Sequence, residues 1–166
     1  MMQRKESGFS IIEVLIALLI TAVGILGVAG LQVMSLQQNR SALLRDQALQ
    51  AANDILDRMR ANPATDYAPV AMTDAPVSDV NCVAATCNPV EMAEYDIAQW
   101  KCRLNPFDSG DVLYEVCDVF NLTQVTLIGG AGSIALVGKI QVITVEWVDD
   151  KDGSTSSIVL NTQIEE

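Results

Sequence analysis

The chain has 166 residues, enough for one globular unit with an appendage, and carries 10 basic against 21 acidic side chains with no histidine. A net charge of −11 argues against a nucleic-acid binder, which needs a basic face to displace counterions from phosphate. The missing imidazole removes histidine-based catalytic arrangements and histidine metal sites.

Charge and hydropathy are unevenly placed. Residues 1–61 hold six basic and five acidic side chains, so the rest of the chain carries −12. Between positions 9 and 31 only Ser10, Glu13 and Thr21 have side chains that ionise or hydrogen-bond. A helix of that length, at about 1.5 Å per residue, spans a hydrocarbon core of about 30 Å.

Four readings compete for this segment. A secretory signal peptide fits Arg4 and Lys5, with Ala22-Val23-Gly24 or Gly27-Val28-Ala29 as exit, but its apolar stretch is shorter and holds no acid. A plain membrane anchor, cytoplasmic at the Arg4/Lys5 side, explains length and orientation but not Glu13, since an acid within a span costs on the order of 3 kcal/mol. A core helix of a soluble protein would not open a chain with so few polar residues. The fourth reading takes the odd features together. Ser7-Gly8-Phe9-Ser10-Ile11-Ile12-Glu13-Val14-Leu15 resembles the class III signal of type IV prepilins and type II secretion pseudopilins.

That resemblance implies a charged leader ending in glycine, cut after Gly8 by a dedicated membrane aspartyl peptidase, the prepilin peptidase, with N-methylation of the new terminus at Phe9. Glycine lets a protease approach the backbone closely. Glu13, one helical turn along, would face the positive amino group of an adjacent subunit in the fibre, and a buried carboxylate is tolerated when so paired. Gly24, Gly27 and Gly30 each cost up to about 1 kcal/mol in a helix interior. They read either as a close helix-helix contact of small residues or, by the resemblance, as a soft point where pilin helices lose order on entering the fibre.

After Leu31 the pattern becomes amphipathic. Leu36, Leu44, Ala48, Ala52, Ile55 and Met59 keep mainly three- and four-residue spacing, and Asn62-Pro63 ends the helix. One helix over residues 10–60 would run about 75 Å; two helices broken at the glycines are the alternative. The wording of Ser41-Ala42-Leu43-Leu44-Arg45 and of Asp54-Ile55-Leu56-Asp57-Arg58-Met59-Arg60-Ala61-Asn62-Pro63 resembles the PilV family of minor pilins. Asp96-Ile97-Ala98-Gln99-Trp100, residues 127–136 and residues 139–149 resemble that family's short helix, glycine-rich turn and following strand. Residues 101–126 read as an insertion.

Residues 63–90 hold four of the five prolines and no sustained period, which predicts a long surface loop that is functional or mobile. Residues 90–100 suit a short helix with Met92, Ile97 and Trp100 inward. Residues 125–128 and 134–137 read as strands around the turn Gly129-Gly130-Ala131-Gly132-Ser133. No Lys-Ser/Thr follows that turn, so it fails as a phosphate loop. Residues 140–148 form the clearest strand, with Ile143, Val145 and Trp147 on one face and Ile140 and Val142 on the other; it returns through a turn at 149–153 to Ile158-Val159-Leu160. The acids of that turn miss the spacing of a calcium loop and read as a solvated turn.

Cys82, Cys87, Cys102 and Cys117 all follow the apolar segment, on the side the leader would place outside the cytoplasm. Four cysteines in an oxidising compartment allow three pairings. Cys82 with Cys87 and Cys102 with Cys117 is favoured because each bond then staples one loop; a free or metal-binding set is the alternative, made weak by the lack of any C-x-x-C and of histidine.

The expected fold is α+β and type IV pilin-like: a long N-terminal helix packed on a small antiparallel sheet with disulfide-bonded loops. The expected segments are a leader (1–8), a membrane or fibre-core helix (9–31), its amphipathic continuation (32–61) and a periplasmic or extracellular body (62–166). The resemblance implies a non-catalytic minor pilin of type IV pili, first in the inner membrane and then in the pilus, that supports assembly and motility by twitching. Its expected partners are other minor and major pilins, the prepilin peptidase, the inner-membrane assembly platform and the membrane, with no nucleic acid, cofactor or metal. A secretion pseudopilin and a bitopic periplasmic binding module are the alternatives.

Overall fold

A computed structural model describes residues 8–149 and 153–163. The chain divides after Arg40 into two compact units. Helix α1, Ile11–Ala61, begins in the first and ends in the second, running unbroken through all three of its glycines. In the first unit every described side chain is exposed.

The second unit adds α2 (Pro89–Leu104), α3 (Glu115–Val119) and strands β1 (Ala131–Val137), β2 (Ile140–Val148) and β3 (Thr155–Gln163), which form an antiparallel sheet in the order β1-β2-β3. Long N-terminal helix, small antiparallel sheet and two disulfides are the architecture expected of the α+β, pilin-like class.

The helix stripe begins later than its period suggests. Leu36 is 68% exposed, and burial starts at Leu44 and continues through Ala48, Ala52, Ile55, Leu56 and Met59. Periodicity marks a face without saying where a partner for it starts. The fully buried Ala48 and Ala52 offer only methyl groups, so neighbouring layers can approach the helix backbone. Onto this stripe pack Trp100 and Leu104 of α2, Ile134 of β1, and Ile143, Val145 and Trp147 of β2. Ile143, Val145 and Trp147 share the inward face of β2, while Ile140 stays exposed.

Helix α2 starts with a complete capping box. The Asn88 side chain accepts from the backbone N–H groups of Val90 and Glu91, and Glu91 Oε2 accepts from Asn88 N at 2.8 Å. Its inward face differs from expectation: Ala93, Ala98 and Trp100 are buried, while Met92 and Ile97 are half-buried. Trp100 Nε1 donates to Ala51 O at 2.8 Å, tying α2 to α1.

Two expectations need correction. Residues 125–128 are not a strand. Leu127 drives its side chain into the core, and the local backbone bonds to Leu104 O and Val148 N, so no ladder forms. The partner of β1 is β2, joined through Gly138 and Lys139 with Gly138 at φ +65°. The loop over 63–90 is also more than a surface excursion, because Tyr67 is buried and Val70 pairs with Ile134 through two 2.9 Å backbone bonds.

Tyr67 completes a polar cluster at the core's edge. Asp96, itself buried, accepts from Arg58 Nη1 at 2.7 Å and from the Tyr67 hydroxyl at 2.6 Å. Arg58 also donates to Asp54 and to Gln99. Burial opposes the Arg58 charge, yet the bonds and attraction of Asp96 and Asp54 outweigh it and hold its pKa above the ordinary value. Burial first, and the bond to Asp96 second, push the Tyr67 hydroxyl well above the usual tyrosine range.

That raised value has a definite sign. The folded state keeps a proton that the unfolded state loses above about pH 10, so the contribution is full below that pH and is lost as pH rises further. Tyr67→Phe should cost about 1–3 kcal/mol at neutral pH by stripping one donor from a buried carboxylate. It should also flatten the alkaline loss of stability, both read from denaturant unfolding of the full chain in detergent. In the same assay Gly132→Ala should cost about 1–3 kcal/mol by overpacking, because its Cβ would collide with the Trp100 ring and stand 2.6 Å from Leu104 Cδ1. No change in midpoint would contradict that packing.

Candidate assembly site

The residues Gly8, Phe9 and Ser10 precede α1, and the first helical bonds run from the N–H groups of Glu13 and Val14 to Ser10 O, at 3.0 and 3.3 Å. Glu13 therefore sits in the first turn, where the exposed N–H groups favour a negative side chain. Ser10 and Glu13 have the S-x-x-E spacing of a capping box. Unlike Asn88 and Glu91 they do not close it, and among the described residues none donates to the Glu13 carboxylate. Thr21, by contrast, satisfies its own hydroxyl on Ala17 O and Leu18 O at 3.0 and 2.9 Å.

Around this acid the surface is apolar. Phe9 is 85% exposed, and Ile12, Leu15, Ile16 and Leu19 are exposed with it. The helix is long and apolar enough to cross a membrane, by length and composition, and its apolar stretch buries nothing within the structure. Such a surface far exceeds the patches soluble monomers leave in water. A Cβ built on Gly8, Gly24, Gly27 or Gly30 meets nothing within 4 Å, so these glycines leave a path for close approach from outside the chain.

The remaining sequence candidates lie in the second unit. Cys82 is bonded to Cys87 and Cys102 to Cys117, with Cα separations of 5.5 and 5.4 Å. The first closes a short loop before α2; the second ties α2 to α3. The glycine-rich turn is accounted for by packing: a Cβ on Gly130 would stand 2.8 Å from Leu127 Cβ, and Gly129 takes φ +60° against Val148. In the turn at 149–153, Asp149 Oδ2 accepts from Ser41 Oγ at 2.9 Å, while residues 150–152 lie outside the described residues. Arg4 and Lys5 of the leader lie outside them as well. Among the described residues no group of three or more His, Cys, Asp or Glu side chains gathers to hold a metal.

Sequence reasoning passed over two sites that matter to the fold. One is the Arg58–Asp96–Tyr67 cluster, of which only the Asp54/Arg58 helix spacing gave a local signal. The other is Lys101, buried on α2 with Nζ donating to Ala71 O and Asp74 O at 2.6 and 2.5 Å. Desolvation lowers its pKa, against the opposing pull of Asp74.

Two family models match adjoining stretches of the chain's first 98 residues. Residues 3–29 match the prokaryotic N-terminal methylation motif, and residues 30–98 match the Tt1218-like family, type IV pilin Tt1218. No curated protein and no solved structure matches it. An apolar N-terminal helix led by that motif, continued into a stripe that carries a small antiparallel sheet and two disulfides, gives this chain the fold and the N-terminal signature of a type IV pilin.

Proposed function

We infer that the chain is a minor pilin of the PilV type, a structural subunit and not an enzyme, that enters type IV pili and supports their assembly. The observation that carries this reading is Glu13: an exposed carboxylate without a described partner, in the first turn of an apolar helix, within a segment that matches the N-terminal methylation motif. Residues 1–8 are the leader, 9–31 the membrane and later fibre-core segment, 32–61 its continuation, and 62–166 the body on the periplasmic side. Before assembly the apolar surface is covered by the inner membrane and afterwards by the helices of neighbouring subunits.

Each step follows from a residue's chemistry. Gly8, without Cβ, lets the prepilin peptidase reach the bond to Phe9. Cleavage frees an α-amino group at Phe9, which stays basic after N-methylation. Glu13 of one subunit then pairs with the Phe9 amino group of another where water is scarce, and an incoming subunit out of register leaves that carboxylate unpaired at a cost of several kcal/mol. Gly24, Gly27 and Gly30 admit close helix contacts and leave this stretch the easiest to unwind.

Mass spectrometry of the mature protein, from cells with and without the prepilin peptidase, should find methyl-Phe9 at the amino terminus only when the peptidase is present. Any other mature start refutes the processing assigned to Gly8 and Phe9. Glu13→Ala should leave the amount in the inner membrane unchanged while lowering the amount in sheared pili by about tenfold or more, as loss of one buried charge partner requires. Undiminished incorporation would remove the docking role.

A further inference from the structure

In the second unit, the loop at 75–81 and α3 face each other across an open groove of about 570 Å³. Pro76, Val77 and Val80 form one wall and Val116, Val119 and Phe120 the other. Asp79 and Glu115 stand among them, and among the described residues no lysine or arginine lines the groove.

Both walls are fixed to one turn of α2. The Lys101 ammonium holds the carbonyls of Ala71 and Asp74, which anchors the start of the loop. The next residue, Cys102, is bonded to Cys117 within α3. Phe120 then sets its ring edge-on to Tyr95 of α2, with centroids 5.0 Å apart. The groove is thus preformed, and binding to it does not have to order its walls.

Two valines at the groove are nonetheless held out to water, Val77 at 74% and Val119 at 62% exposure. Apolar side chains kept exposed on fixed walls gain free energy when something apolar covers them. The charge narrows what that is. Residues 62–166 carry a balance of −12, which repels phosphate-bearing surfaces and other acidic faces alike. An acidic rim with no cation among the described residues complements a partner that brings the cation. The α3 wall also lies beyond residues 3–29 and 30–98, so neither matched family model accounts for it.

We propose that this groove receives an apolar side chain flanked by lysine or arginine, presented by a neighbouring subunit of the filament. The proposal rests on the filament-subunit reading above. The apolar side chain covers Val77 and Val119, and the flanking cation meets Asp79 and Glu115. Rim charges of this kind select the partner and its register more than they add affinity.

The test places a photo-crosslinking amino acid at Val119 in the full chain, in cells that assemble pili, with the more exposed Val83 outside the groove as control. Adducts are counted per subunit found in sheared pili, and their sites are mapped by peptide sequencing. The expected result is an adduct from Val119 to a pilin-type subunit, at a segment with Lys or Arg beside an apolar residue, and little from Val83. Asp79→Lys with Glu115→Lys should then cut the Val119 adduct by about fivefold, the combined effect of two exposed charge pairs. Equal adducts from both positions, a contact segment without a basic residue, indifference to the charge reversal, or no adduct from subunits present in the pili each overturn the groove assignment. Absence of the subunit from pili overturns the filament reading itself.

Discussion

Helix α1 has to satisfy two surroundings with one backbone, and everything else in the protein is arranged around that requirement. Up to Arg40 its side chains contribute nothing to a core that excludes water. From Leu44 onward the same helix is the second layer that a three-stranded sheet cannot do without. Remove residues 44–59 and the inward faces of Ile143, Val145 and Trp147 lose the helical side of the core cluster they share. Small side chains at Ala48 and Ala52 let the layers meet closely, and the Trp100 indole bonded to the Ala51 carbonyl fixes α2 at that contact.

Charge is distributed by the same division of labour. The acidic excess lies beyond residue 61, where most of the described carboxylates are exposed and water solvates them at little cost. Trp147 Nε1 is buried without a hydrogen-bond partner among the described residues, but the two buried ionisable groups on α2 are matched. Asp96 has a guanidinium and a phenol, and Lys101 has two backbone carbonyls. Each joins a loop residue to a helix, so the buried polar groups fix connections while the apolar residues supply the bulk of the burial. Breaking one such pair leaves a desolvated charge behind, which costs more than the pair itself contributes.

Much of this was legible in order of residues, because the strongest signals were local. A long run with one acid, a stripe at three- and four-residue spacing, a proline after asparagine and an alternating strand at 140–148 all report on their own neighbourhoods. What escaped depended on distant partners. The run at 125–128 has strand-like composition, but Leu127 is taken by the core and its backbone by Leu104. Leu36 has the right spacing and yet stays exposed among the described residues. Tyr67 lies in a proline-rich stretch without period, and its burial is decided by Asp96, 29 positions away. In the candidate assembly site, Glu13 stood out in composition alone, whereas the groove beside α3 needed two segments about 35 positions apart to be brought together, which no local pattern announces.

The stretch after α2 shows how a chain can add surface without enlarging its core. Between Leu104 and Ala131 the described regular structure is the single short helix α3. Three features hold the rest: the disulfide from Cys102 to Cys117, the buried Leu127, and the Asp108 carboxylate accepting from the N–H groups of Gly110 and Val112. A disulfide closing a loop of this length removes about 3 kcal/mol of freedom from the unfolded chain. That is ample for a segment whose residues bury little of their own. The sheet and α1, meanwhile, contain no cysteine, so their packing does not draw on the bond. The helix-sheet layer and the loop surface are therefore stabilised by different chemistry: apolar burial holds the first, and oxidation holds the second. Away from the groove wall on α3, the outer residues of this stretch can change as long as Cys102, Cys117 and Leu127 stay in place.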